Sequence, residues 1–229
     1  MQFILTAAIT LTGLTSLSSQ VWAQQVNTLD VNFTAKHEAC LEKIADDASE
    51  AYEDALIWQS QGGGRRARHC VAMALFALGH EDEGAFRLEK LAKSPDGGTP
   101  AMRAGYYVES ADMWMSAGMP KNALMATEKG LKVSKKHTDL LIAKARAQAA
   151  LDKWMEAEKT LNTVLSAEPT NARALRYRAD ARRRIGKLDL ALMDIENAAI
   201  LDSKNIDVYV VRGEIKEAIR LKGQAVKTP

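Results

Sequence analysis

The sequence predicts an all-α fold, a solenoid of stacked helix–turn–helix units. Three observations carry this: a helix-favouring composition, small residues recurring at a fixed interval, and apolar spacings of three and four around them. Of 229 residues, 47% are hydrophobic and 26% charged, with 14 Gly and 5 Pro. That balance excludes a wholly disordered chain. Aromatic residues, at 6%, are too sparse for the many short strands of a β-sandwich. Lys and Arg number 31 against 29 Asp and Glu, a net charge of +2, so nothing in the total charge points to nucleic acid.

Residues 1–29 carry no charged side chain, and Asp30 is the first. Phe3 to Leu17 is mostly apolar and small, and Val21-Trp22-Ala23 resembles the cleavage pattern of a secretory signal. The expectation is a signal peptide over 1–23 and an extended or disordered stretch over 24–33. The apolar run is shorter than the roughly 20 residues a membrane span needs. The mature chain is therefore expected to be exported and not membrane-spanning, and periplasmic if the source is a Gram-negative bacterium.

Export places Cys40 and Cys70 where disulfides persist. A bond between them closes a loop of 30 positions, worth about 3.5 kcal/mol in the chain-entropy description. Two other readings stay open, free buried thiols and a metal site with His37 and His69. The His37-x-x-Cys40 spacing suits one helix face, but the neighbours His69 and Cys70 point about 100° apart on a helix. The disulfide is the favoured reading. His80 and His137 have no nearby partners arranged for catalysis. Gly62-Gly63-Gly64 lacks the Lys and Ser or Thr of a phosphate-binding loop. No catalytic residue, metal or cofactor is expected.

Beyond residue 100 the interval becomes regular. Ala111, Ala145, Ala179 and Gly213 stand 34 residues apart, in step with Tyr107, Leu141, Leu175 and Tyr209. Ala123, Ala157 and Ala191 form a third row, and Gly130, Val164 and Ala198 a fourth. Tyr107 and Ala111 are four apart, as are Leu141 and Ala145, so each pair shares a helix face. Gly118 and Gly186 punctuate matching turns, with Asp152 replacing Gly between them. Each unit is a helical hairpin that cannot bury its apolar face alone, so neighbours must stack.

This pattern resembles the tetratricopeptide repeat family: a large then a small residue on the first helix, Gly at the turn, Ala on the second helix, and Pro169 in a connector. The units at 104–137, 138–171 and 172–205 carry it clearly. Residues 31–63 and 65–98 are degenerate units, the second with Gly84 where Ala is expected. Residues 206–222 read as a C-terminal capping helix, and 223–229 as a flexible tail. The resemblance implies a right-handed superhelix over 34–222 whose first helices line a concave groove for a peptide or partner helix. Residues 172–187 hold seven basic side chains and one acid, whereas 30–61 hold eight acids and two bases.

Mapped onto the repeat, Arg146, Arg173, Arg176, Asp180, Arg183 and Arg184 should face the groove. Arg recognises carboxylates through paired hydrogen bonds, so the expected partner is an unidentified protein or peptide of acidic character. The Lys, Asn and Arg clamp of chaperone-tail binders is not matched, its sites holding residues such as Asp112, Ala143 and Val211. A polysaccharide or small-ligand module on the same solenoid is the second reading, and a metal enzyme using His37, Cys40, His69 and Cys70 a remote third. The bland alternative for the arginines is a solvated face paired with its own neighbours.

Overall fold

The computed structural model describes residues 17–225, with side chains described over 32–224. Eleven helices follow one another among these residues. They are α1 (Leu17–Asp46), α2 (Ala48–Ser60), α3 (Gly64–Ala77), α4 (Glu81–Lys93), α5 (Pro100–Ser116) and α6 (Pro120–Val133). The row continues through α7 (Thr138–Ala150), α8 (Trp154–Ala167), α9 (Ala172–Arg184), α10 (Leu188–Leu201) and α11 (Ile206–Ala225).

Local chemistry sets several of these boundaries. The side chain of Asp47 accepts from the Glu50 amide, that of Thr99 from Met102 and that of Asn171 from Ala174, each satisfying a free donor of a first turn. Pro100 and Pro120 occupy first turns, where a missing N–H costs nothing. Gly79, Gly118 and Gly186 end α3, α5 and α9 in the left-handed region. Asp152 does the same after α7 at φ 58°, the one non-Gly residue of this kind among the described residues.

The 34-residue rows become the core. Ala111, Ala145 and Ala179 on first helices, and Ala123, Ala157 and Ala191 on second helices, are all buried. Their small side chains let the two helices of each hairpin approach, while Leu161, Ile195 and Leu140 fill the space around them. Gly84 departs from Ala for a visible reason. A Cβ there would lie 2.9 Å from the Ala72 carbonyl oxygen and 3.1 Å from Met113 Sδ, so α4 sits closer to α3 than a methyl group allows.

Successive helices pack as neighbours along the chain, and the first helices also touch across units: α1 to α3, α5 to α7, α7 to α9 and α9 to α11. They form the inner layer of the row. One boundary differs from the sequence expectation: α1 is continuous through 24–33, a stretch without Gly or Pro to interrupt it. The secretory segment expected over 1–23 falls for the most part outside the described residues, as do residues 226–229 of the tail.

Candidate functional site

The inner layer is laced by side chains at equivalent register positions on neighbouring first helices. Arg66 of α3 donates to Thr34 of α1 at 2.9 Å, and His37 meets His69 at 2.9 Å, both pairs 32 residues apart. Further along, Arg146 bonds Asp112, and Arg173 bonds Asp139 at 3.0 Å, both pairs 34 apart. Arg176 reaches Asp207 at 3.2 Å, and Arg183 bridges Asp180 at 2.6 Å and Glu214 at 3.0 Å. Arg184, half exposed, lies 4.0 Å from Asp180 and sits over the Trp154 ring, 5.2 Å from its centroid.

The six predicted groove residues thus come together on this layer, but not as a bare basic patch. Each of the five arginines has a carboxylate within 4.0 Å, from α5, α7, α9 or α11. Arg176 and Arg146 also lean on Tyr177, at 4.2 and 5.8 Å from its ring centroid. Arg176 keeps unused capacity: its buried Nε–H has no acceptor.

The remaining bases of 172–187 turn the other way. Arg178 makes a two-pronged contact with Asp194 at 2.8 and 2.7 Å, and Arg182 joins it through Asp194 at 2.8 Å and Glu158 at 3.0 Å. Lys187 completes the network on Glu158 at 2.7 Å. Asp194 and Glu158 are buried between α8, α9 and α10. Burial opposes ionisation of Glu158, yet hydrogen bonds from Lys187 and Arg182 outweigh it and hold the carboxyl below its ordinary range. These charges join neighbouring units.

At the other end of the row, His69 Nε2 lies 2.8 Å from Glu109 on α5, so His37, His69 and Glu109 form a chain across three first helices. Burial, with the neighbouring His69 and Arg66, lowers the His37 pKa to about 4. Cys40 and Cys70 meet one another with Cα atoms 6.4 Å apart, a distance a disulfide spans. The four residues considered as metal ligands therefore divide into two separate pairs. Among the described residues no group of three or more His, Cys, Asp or Glu is placed to hold a metal ion. No helix among them is long and apolar enough to cross a membrane.

The tetratricopeptide repeat family profile matches residues 115–181, from the end of α5 into α9. Over that stretch the chain is similar to tetratricopeptide repeats. A tetratricopeptide repeat protein from Parabacteroides merdae superposes with a TM-score of 0.63 at 16% identity, covering 83% of this chain and 76% of the other. MamA from Desulfovibrio magneticus gives 0.53 at 16%, over 70% and 96%. The first tetratricopeptide domain of human RPAP3 gives 0.50 at 23%, over 53% and 95%. At these identities the likeness is one of fold.

Proposed function

We propose that this tetratricopeptide repeat chain is an exported, non-catalytic scaffold that holds an acidic peptide or partner helix along its inner layer. The observation that carries the reading is the cluster Arg146, Tyr177, Arg176 and Arg183. It presents guanidinium groups already oriented by carboxylates and an aromatic ring. An acidic ligand would exchange with Asp207 and Glu214, both about half exposed, so capture costs little desolvation. Arg184 and Arg173, more open, form the rim.

Export rests on the uncharged leader, and a Cys40–Cys70 disulfide follows from it. The bond would tie α1 to α3 at the weakest-matching end of the row. Fluorescence polarisation with a labelled Glu-rich peptide tests the binding reading. Affinity should fall as salt rises and be lost in the Arg176→Glu, Arg183→Glu double variant with helicity unchanged. Salt-independent binding, or binding that survives both reversals, contradicts it.

A further inference from the structure

Of the eleven helices, α1 alone has no buried side chain among the described residues. Over 32–46 it rests on α2 and α3 through half-buried Cys40 and Ile44, which pack against Ala55, Cys70, Val71 and Leu75. Lys43 ties it to Glu50 and Asp54 of α2, both more than half exposed, and such pairs hold weakly. The Cys40–Cys70 bond is the covalent tie between α1 and the row. Its two ends differ in access. Cys70 is fully buried, whereas Cys40 is half-buried and lines a cavity of about 150 Å³ between α1 and α2. Lys36 and Lys43 line the same cavity with a single acid, Asp54. That net positive lining favours an approaching thiolate.

We propose that Cys40 is a thiol–disulfide exchange site, at which a dithiol reductant opens the bond to Cys70 and frees α1 from α3. This rests on the Cys40–Cys70 bond proposed above with export. One thiolate of the reductant attacks Cys40 Sγ. The S–S bond breaks, and Cys70 leaves as a thiolate that takes up a proton. The second thiol attacks the mixed disulfide, and Cys40 leaves and takes up the other proton. The reductant ends as a cyclic disulfide, so two electrons and two protons pass to the protein. Attack on Cys70 is closed, because Ala55, Val71 and Leu75 pack around it. Reduction leaves α1 without a buried anchor, while α3 to α11 keep the two larger cores. The opening is therefore confined to the start of the row.

Peptide mapping of the purified, oxidised protein tests this. Thiol titration in denaturant should first find no free thiol. Two free thiols would remove the bond itself, and the exchange site with it. Brief treatment with glutathione, trapped with N-ethylmaleimide, should place glutathione on Cys40 and the maleimide on Cys70. Glutathione on Cys70, or shared equally between them, overturns the site while leaving the bond standing. With dithiothreitol, amide hydrogen exchange over 32–46 should rise at least roughly 10-fold while that over 138–201 stays unchanged. A bond that dithiothreitol opens only in denaturant overturns the proposal, as does equal exchange over 32–46 before and after reduction. The Cys40→Ser, Cys70→Ser double variant should match the reduced wild type without any reductant. Should that variant misfold, the reduced wild type decides the same question.

Discussion

His37 Nε2 lies 2.9 Å from His69 Nδ1, and this ring-to-ring bond joins α1 to α3. One nitrogen must donate and the other accept, so the contact needs at least one of the two rings neutral. Burial first, then His69 and Arg66, depress its pKa from 6.5 to about 4, with Glu109 the opposing influence. The unfolded chain therefore binds more protons than the folded one between these values. The associated stability is complete above pH 6.5 and is lost as pH falls toward 4. Discounting for partial exposure, the loss should be about 1–2 kcal/mol. Thermal melts at pH 7.5 and 4.5, taken for wild type and His37→Gln, should show the smaller pH dependence in the variant. Equal dependence would remove His37 as the cause.

Asp194 has a different standing from the inner-layer acids. It is buried and takes three hydrogen bonds from Arg178 and Arg182. Asp194→Ala leaves Arg178 without a carboxylate and Arg182 with Glu158 alone, both partly buried, at a cost of about 3–5 kcal/mol. Arg173→Ala breaks an ion pair whose members are both about half exposed and should cost under about 1 kcal/mol. Urea unfolding of the two variants measures the contrast, and similar midpoints would mean the network does not join the units.

Gly130 and Gly105 separate close packing from helix propensity. A Cβ on Gly130 would stand 2.8 Å from Leu140 Cδ1 and Tyr107 Cβ, whereas one on Gly105 meets nothing within 4 Å. Gly130→Ala should destabilise by about 1–3 kcal/mol through overpacking. Gly105→Ala, inside α5, should stabilise by up to about 1 kcal/mol. Opposite shifts in melting temperature are the expected result, and a stabilising Gly130→Ala would show that α6 and α7 can separate at no cost.

The architecture was legible because stacking imposes the same environment every 34 residues, so rows such as Ala111, Ala145 and Ala179 had to be small. Asp152 was readable as a turn residue for the same reason, by position rather than by type. The inner layer was legible in its members but not in its charge balance. Asp112, Arg146, Asp180 and Glu214 are also 34 apart, yet a count restricted to residues 172–187 gives the arginines one acid, Asp180, and misses those that come from α5, α7 and α11. Arg178 and Arg182 add to the charge of 172–187 but fall outside the residues mapped to the groove, and they lie on the other side of α9, on Asp194 and Glu158. His37 and His69 shared no signal with Glu109, which lies beyond the long loop at 94–100 that breaks the interval.

The pairing of Arg176 with Asp207 and of Arg183 with Glu214 makes a prediction opposite in sign to charge reversal. If a ligand carboxylate must take the place of these acids, the acids are competitors. Asp207→Asn and Glu214→Gln keep the shape and remove the charge, so Arg176 loses its competing carboxylate and Arg183 keeps only Asp180, without a new cavity. Each exposed pair is worth about 0.2–1 kcal/mol. Affinity for a labelled Glu-rich peptide should therefore rise roughly 2- to 30-fold in the double variant, a range that follows from about 0.4–2 kcal/mol. Titrations at two salt concentrations should show the gain shrinking as screening grows. Unchanged affinity in the double variant, alongside intact folding by circular dichroism, would place the ligand away from α9 and α11.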